Sequence, residues 1–155
     1  MDSEYSIPDK ILHLKSIPIF EGLAVRELAA VATVTKEVDV ESGQTVIKEG
    51  EAGNDMYLIL EGEVAVSKAQ QDNAEQEFEL AHIKAGDYFG EMSLFEDEPR
   101  SATIRTVKDS RFLVLQENEF AEIVTEYPQI TLHICRAFCQ RIRELHVKID
   151  SYEKR

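Results

Sequence analysis

Several features of a membrane-bound, secreted or nucleic-acid-binding protein are missing from this sequence. No apolar run approaches the roughly eighteen residues that a membrane-spanning helix needs, and the first residues are polar and acidic. We therefore expect no membrane span, no signal peptide and a cytoplasmic location. Two cysteines are too few for the disulfide framework of a small secreted protein. Basic residues are outnumbered, 17 Lys and Arg against 30 Asp and Glu, and the net charge of −13 argues against sequence-independent binding to nucleic acid or acidic lipid.

The common signatures of catalysis are also missing. The four histidines are scattered without a His-x-His pair, and there is no nucleophile elbow, P-loop or pair of catalytic carboxylates. We therefore expect a binding protein and not an enzyme. Cys135 and Cys139 lie four residues apart in a helical stretch, with His133 and His146 nearby. A metal site is one interpretation, but buried free thiols are favoured because cysteine is so often interior, and no metal is predicted.

The sequence that is present predicts one domain, residues 1–155, with three parts. Residues 1–32 form a helical segment, with the helical pattern itself running from 9 to 32, and residues 116–155 form the C-terminal helices. Between them, residues 33–115 consist of short β-branched segments separated by glycines, which predicts a mainly β fold: a jelly-roll-like β-roll, or double-stranded β-helix. Residues 68–76 are predicted to be an exposed hairpin loop. The predicted strands are 45–47, 56–60, 63–67, 78–83, 102–107 and 111–115.

The C-terminal part is predicted to contain two helices. Glu117 begins a short helix that ends before Pro128, and Gln129 begins a long one. Apolar residues of the long helix recur at spacings of four, three, four and three, as in a coiled coil of about two heptads. This seam is either a dimer interface or a face that packs on the chain's own β-roll, and its late end favours the dimer. Its residues are Phe138, Ile142, Leu145, Ile149 and Tyr152.

Residues 86–106 are the most informative segment for function. Gly90 begins a short helical turn, where a glycine lets the backbone approach a ligand and free amides bind an anion. Arg100 is a permanent cation that can hold phosphate oxygens through two parallel hydrogen bonds, and Ser101 follows it. Glu91 would repel a phosphate but can accept a hydrogen bond from a sugar hydroxyl. The segment therefore predicts a site for a sugar phosphate.

This segment resembles the phosphate-binding cassette of cyclic-nucleotide-binding domains, the family of the bacterial catabolite activator protein and the regulatory subunit of protein kinase A. Residues 17–23 are similar to the segment that leads into the family's first helix, and residues 43–62 to its glycine-rich early strands. The resemblance covers nearly the whole chain from residue 10 onward. The matching text of the cassette is Phe89-Gly90-Glu91-Met92-Ser93-Leu94 and, after five residues, Arg100-Ser101-Ala102.

The resemblance implies a set of ligand-binding residues. It assigns Glu91 to the ribose 2′-hydroxyl and Arg100 to the cyclic phosphate, with backbone amides and the Ser101 hydroxyl completing the phosphate site. Leu145 falls where the bacterial activator has a hydroxyl residue that contacts adenine, so it would stack on the purine or serve only in the seam. Arg141, one turn earlier, could reach the ligand or the β-roll. The implied ligand-binding residues are Phe89, Gly90, Glu91, Met92, Ser93, Arg100, Ser101, Ala102 and Leu145.

The function implied by the resemblance is a regulatory sensor. It would bind cyclic AMP in preference to cyclic GMP, need no cofactor, and relay binding to an effector protein or domain through its flanking helices. The alternative is a degenerate β-roll that serves in docking or dimerisation without nucleotide, but such a domain should have lost Glu91 or Arg100. No segment resembles the helix-turn-helix of the family's transcription factors, so direct DNA binding is not expected.

Overall fold

The computed structural model describes residues 4–153, in which eight strands form two antiparallel sheets of four strands each. The first sheet has the order β1-β8-β3-β6 and the second the order β2-β7-β4-β5. This arrangement confirms the predicted jelly-roll β-roll. The strands are β1 (Lys36–Val40), β2 (Thr45–Ile47), β3 (Asp55–Glu61), β4 (Glu63–Gln70), β5 (Asn73–Lys84), β6 (Tyr88–Phe89), β7 (Thr103–Thr106) and β8 (Ser110–Gln116).

Helices precede and follow the β-roll. α1 begins at a capping box, in which the Ser6 hydroxyl accepts a hydrogen bond from the Asp9 amide at 3.2 Å. The predicted short and long C-terminal helices are both present, and the second has 25 residues. The helices are α1 (Ile7–Lys15), α2 (Val25–Val34), α3 (Glu117–Glu126) and α4 (Gln129–Glu153), and a one-turn 3₁₀ helix, Glu91–Leu94, follows β6.

Two hydrophobic cores lie on the opposite faces of the first sheet. Because side chains alternate along a strand, Leu58 of β3 faces the helices while Ile59 faces the interior of the roll. In the same way, Leu113 of β8 packs against the helices and Phe112 packs inside the roll. The β3 and β8 strands are therefore buried on both faces, and this gives the sheet a rigid position between the roll and the helices.

The predicted continuous helical segment before the roll is wrong in its middle and at its end. Residues 16–24 form turns between α1 and α2, and α2 continues to Val34, two residues beyond the expected boundary. Pro18 lacks an amide hydrogen and restricts the residue before it, so a helix cannot continue through this point. The turns still bury Ile17 and Phe20 completely, which places the segment in the first core.

The predicted strands are all present, but the hairpin loop is shorter than expected and two strands were not predicted. β4 extends to Gln70 and β5 begins at Asn73, so most of residues 68–76 is paired strand. β5 is an edge strand, and residues 75–77 in its first half are polar and exposed, so this half has no apolar pattern by which to recognise it. β1 and the two-residue β6 were missed because neither has a clear run of alternating apolar residues.

The prediction that the two cysteines are buried is wrong. Cys135 and Cys139 are both free thiols on the exposed side of α4. Only Ile130 and Ile134 of this helix are buried, so a cysteine one residue beyond Ile134 already points away from the core. Within residues 4–153 no group of three His, Cys, Asp or Glu side chains is arranged to hold a metal ion. In the same range, no helix is both long and apolar enough to cross a membrane.

The apolar seam of α4 joins the first core at its beginning. Phe138 packs against the first core. By contrast, Ile142, Leu145, Ile149 and Tyr152 are 53%, 52%, 52% and 62% exposed. The interpretation that the seam packs along the chain's own β-roll is therefore not supported beyond Phe138.

Candidate nucleotide-binding site

The predicted cassette begins where β6 ends. Gly90 adopts a left-handed conformation with φ of 81° and caps the 3₁₀ helix, and the Ser93 amide donates to the Gly90 carbonyl at 3.1 Å. A Cβ atom at Gly90 would lie 2.7 Å from the Asp55 carbonyl oxygen. Both the positive φ and this close approach require glycine. The turn therefore packs closely against the start of β3.

Arg100 is held by its backbone and by its side chain. The backbone amide donates to the Glu51 carbonyl at 2.9 Å, and the Arg100 carbonyl accepts from the Gly50 amide at 2.8 Å. In the side chain, Nη1 donates to the Ser93 hydroxyl at 2.7 Å and Nη2 donates to the Asp55 carbonyl at 2.9 Å. The guanidinium is thereby fixed in one plane between β3 and the cassette.

The Arg100 side chain remains a cation although it is partly buried. Burial lowers the pKa of its guanidinium, while the nearby Tyr57 and Asp55 oppose this shift. An arginine starts from so high a pKa that it keeps its proton in proteins. Its charge is therefore available in a partly desolvated place, where an interaction with an anion is stronger than in open water.

Most of the predicted ligand-binding residues lie around one cavity of about 440 Å³. This volume is in the range of small-molecule sites. Of the nine predicted residues, seven line the cavity; Phe89 and Leu145 do not. The lining residues are Ile47, Gly90, Glu91, Met92, Ser93, Glu96, Glu98, Pro99, Arg100, Ser101, Ala102 and Ile104.

The lining of the cavity contains one cation and three carboxylates. Arg100 is the one cationic side chain among the lining residues, whereas Glu91, Glu96 and Glu98 contribute carboxylates. An anionic group is attracted only at Arg100 and at the amides of the 3₁₀ helix. Sugar hydroxyls, in contrast, are suitable donors to a carboxylate such as that of Glu91. The arrangement is chemically matched to a molecule with one phosphate and free hydroxyls.

Phe89, which was predicted as a ligand-binding residue, lies beneath the cavity in the second core. Its ring stacks on Tyr57 with centroids 5.0 Å apart and an angle of 9°, and it meets Phe112 edge-on at 5.8 Å. It is 5% exposed. Burial and the nearby Asp55 raise the pKa of Tyr57. The Phe89 ring therefore supports the strand that carries Gly90 and does not face the cavity.

Leu145 lies in a neighbouring groove between the cassette and α4. This groove also contains Phe95, Phe138 and Arg141, and it shares Glu91 with the cavity. Arg141 Nη1 lies 4.0 Å from Glu91 Oε1, so α4 meets the cassette at the carboxylate predicted to bind the ribose. Arg141, which was predicted to reach the ligand or the β-roll, therefore approaches a predicted ligand-binding residue.

Two neighbours of Arg100 were not predicted as part of the site. Asp55 accepts from Nη2 through its backbone carbonyl, and a main-chain acceptor cannot be recognised from residue type. Gly53 has no positive φ, but a Cβ atom there would lie 2.4 Å from Arg100 Nε. The sequence shows only that residue 53 is a glycine. Because its backbone conformation does not require glycine, the close contact with Arg100 explains the residue type.

Fold and site together define a class: a jelly-roll domain with a cavity beside the 3₁₀ helix that is lined by a single, fixed arginine. A match to the cyclic nucleotide-binding domain family covers residues 37–127, which is more than half of the chain. The chain belongs to this family, and the predicted resemblance is confirmed.

Individual relatives agree with this family. The chain is 29% identical over 125 residues, or 81% of its length, to the "CRP-like cAMP-activated global transcriptional regulator" of Mycobacterium tuberculosis, of which it covers 55%. It is 35% identical over 111 residues, 72% of its length, to a "cAMP-dependent protein kinase regulatory subunit" of Eremothecium gossypii, of which it covers 23%. The crystal structure of the N-terminal domain of a transcriptional regulator from Streptomyces coelicolor A3(2) superposes with a TM-score of 0.80 at 26% identity, covering 88% of this chain and 94% of that one.

These relatives are regulatory proteins by name, as expected for a binding domain. The chain spans only about half of the length of the mycobacterial regulator and about a quarter of the kinase subunit. The similarity therefore concerns the nucleotide-binding region, and the activities of the whole relatives are not transferred to this chain.

Proposed function

We propose that this domain binds a cyclic nucleotide, cyclic AMP in preference to cyclic GMP, and relays the binding to an effector through α4. The observation that carries the proposal is the fixed guanidinium of Arg100 in the same cavity as the carboxylate of Glu91. Arg100 binds the cyclic phosphate, and Glu91 accepts a hydrogen bond from the ribose 2′-hydroxyl. The amides of Gly90, Met92 and Ala102 and the Ser101 hydroxyl complete the phosphate site.

The preference for cyclic AMP is supported by the relatives and not by the cavity itself. Two of the three proteins compared with the chain carry cAMP in their names, although another relative, 31% identical, is named a cGMP-dependent protein kinase. The Ser101 hydroxyl lines the cavity and could also accept a hydrogen bond from the amino group of guanine. Leu145 offers an apolar surface in the neighbouring groove, which suits stacking on either purine.

The relay is supported by the contacts between the cassette and the C-terminal helices. Phe95, directly after the 3₁₀ helix, meets Phe120 of α3 edge-on at 5.8 Å and Phe138 of α4 at 5.5 Å. Arg141 of α4 approaches Glu91. A ribose hydroxyl that binds Glu91 changes the partner of Arg141, and a movement of the 3₁₀ helix moves both aromatic contacts. Binding then shifts the population of α4 positions by the difference in affinity for them.

The effector is a protein or a domain that reads the position of α4, and a second copy of the chain is the partner we propose for its exposed seam. Ile142 and Ile149 are 53% and 52% exposed and lie one heptad apart on the helix. Pairing of two α4 helices buries these residues. A change at the cassette is then transmitted to both copies.

The function is tested by calorimetric titration of the nucleotide-free protein with cyclic AMP and cyclic GMP in parallel. We expect micromolar or tighter binding, which corresponds to about −8 kcal/mol, with cyclic AMP the tighter ligand. Arg100→Ala should weaken binding at least about 100-fold, because it removes charge-assisted hydrogen bonds worth about 1.5–3 kcal/mol each. Hydrogen exchange along α4, with and without nucleotide, tests the relay.

Arg105→Ala is the matched control. Arg105 is also an arginine on the β-roll, but it pairs with Glu77 and does not line the cavity. Its loss should leave nucleotide affinity unchanged. Equal affinity of the parent and Arg100→Ala would show that the cassette is not the binding site. Absence of binding to both nucleotides would instead favour a docking β-roll.

A further inference from the structure

The side chain of Arg100 is oriented by two acceptors that lie on opposite elements. The Ser93 hydroxyl belongs to the 3₁₀ helix and accepts from Nη1 at 2.7 Å, and the Asp55 carbonyl belongs to β3 and accepts from Nη2 at 2.9 Å. A guanidinium is planar, so two bonds from its two terminal nitrogens fix its plane as well as its position. The donors that remain are free for a ligand.

The position of Ser93 follows from the local fold. The 3₁₀ helix turns at Gly90, and the Ser93 amide donates to the Gly90 carbonyl at 3.1 Å. This turn brings the Ser93 side chain back toward Arg100, seven residues later in the chain. Glycines leave the space in which the guanidinium lies, since a Cβ atom would lie 2.4 Å from Nε at Gly53 and 3.0 Å from Nη1 at Gly90.

We propose that Ser93 is a positioning residue that holds Arg100 in the orientation in which it binds the phosphate. This inference rests on the proposed function and deepens it, because it separates Ser93 from the residues that contact the nucleotide. A free arginine side chain loses considerable rotational freedom when it is ordered by a ligand. The Ser93 hydroxyl orders it beforehand, so less of the binding free energy is lost on ordering.

The first test does not depend on nucleotide. Thermal unfolding is measured for the parent, Ser93→Ala, Arg100→Ala and the double variant. The loss of one charge-assisted hydrogen bond should lower the Tm of Ser93→Ala by about 2–6 °C in the parent background, and by less than half as much when Arg100 is already alanine. Ser67→Ala is the control, since its hydroxyl pairs with Glu77 away from the cavity and its effect should be the same in both backgrounds.

The second test measures affinity for cyclic AMP. Ser93→Ala should weaken binding about tenfold, and Ser93→Thr, which keeps the hydroxyl, should stay within about threefold of the parent. Ser67→Ala should not alter affinity. If Ser93 only stabilised the turn, the effect of Ser93→Ala on the Tm would not depend on Arg100. The retained affinity of Ser93→Thr would then not be accompanied by such a dependence.

The outcomes are distinct from those for the proposed function. Equal effects of Ser93→Ala in the two backgrounds overturn the inference, and so does coupling in the Tm without any loss of affinity in Ser93→Ala. If the parent binds neither nucleotide, the proposed function fails by itself. The role of Ser93 in holding Arg100 is then decided by the unfolding cycle alone.

Discussion

At the scale of single residues, the site depends on the space around one arginine. Arg100 is surrounded by a hydroxyl, a carbonyl and two glycines, each from a different position in the sequence. Of these, Gly90 is required by its positive φ as well as by close contact. Glycine is required at position 53 only because Arg100 packs against it. A substitution there should therefore displace the Arg100 side chain without straining the backbone.

Gly53→Ala should therefore impair binding more than stability. The new Cβ atom would lie 2.4 Å from Arg100 Nε, and a flexible arginine side chain can move away at little cost to the fold. We expect cyclic nucleotide affinity to fall at least about tenfold, because displacement of about 1 Å is enough to lose such contacts. The free energy of unfolding should change by less than about 1 kcal/mol. Titration calorimetry and chemical denaturation measure the two quantities.

Gly22→Ala is a suitable control for this substitution. Gly22 also lies in a turn without a positive φ, and a Cβ atom there would have no neighbour within 4 Å. Nucleotide affinity should be that of the parent. If Gly53→Ala and Gly22→Ala bind equally well, the packing of Gly53 on Arg100 has no role in binding.

At the scale of elements, the β4–β5 hairpin contains a titratable contact on its outer face. His82 of β5 is paired with Ala65 in the register and lies 2.6 Å from Glu63 Oε2 through Nδ1, with Glu79 on its other nitrogen. The hydrogen bond with Glu63 is the main cause that raises the pKa of His82, and the same bond lowers the pKa of Glu63. When it is protonated, the imidazole of His82 therefore lies between two carboxylates and stabilises the hairpin.

The stability of the protein should consequently decrease as the pH rises above about 6.5, the unperturbed pKa of histidine. The folded state binds the His82 proton more tightly than the unfolded state does. The contribution is therefore complete below the unfolded pKa and is lost as the pH passes through the raised folded value. His82→Gln should reduce this decrease when the Tm is measured between pH 6 and about pH 9.

His146→Gln provides the comparison. His146 is exposed on α4, far in sequence from the hairpin, and its replacement should leave the pH profile of the Tm unchanged. A profile for His82→Gln that superposes on that of the parent would contradict a stabilising role of this contact.

At the scale of the whole molecule, α4 combines two surfaces that have different partners. Its first half packs through Ile130 and Ile134 on the core, and the exposed seam follows. The part that meets the cassette, around Phe138 and Arg141, lies between them. A helix with this arrangement can transfer a displacement at the cassette to whatever covers the seam.

Ile149→Asp should dissociate the proposed dimer without unfolding the domain. Ile149 is 52% exposed and belongs to the seam, so its replacement affects the pairing of two α4 helices and not the core. A carboxylate buried in an apolar interface should weaken dimerisation at least about 100-fold. Light scattering after size-exclusion chromatography measures the mass, and the Tm at low concentration reports the fold.

Val147→Asp is the matched control on the same helix. Val147 is 69% exposed but lies outside the heptad positions of the seam. This variant should remain a dimer. A monomeric parent, or equal masses of the two variants, would exclude pairing through the seam.

Part of this structure could be predicted from the sequence because it is encoded locally. The short strands and their glycine turns follow from alternation and backbone conformation, and Gly90, Glu91 and Arg100 form a cassette within about twenty residues. The chemistry of a sugar phosphate site follows from these residue types. The family, the jelly-roll fold and most of the residues that line the cavity could therefore be predicted from the sequence.

Other features were decided only by tertiary packing. The first half of β5 is strand because it pairs with β4, although residues 75–77 are polar and exposed. The cysteines are exposed because α4 buries only its first turns. Phe89 and Leu145 do not face the cavity because of how their elements pack: the Phe89 side of its strand is buried in the second core, and Leu145 lies on a side of α4 that borders the neighbouring groove. The orientation of Arg100 requires Ser93 of the 3₁₀ helix to meet Gly53 and the carbonyl of Asp55, which lie about forty residues earlier in the chain. Local sequence sets the available chemistry, but contacts between distant segments set the direction in which each side chain points.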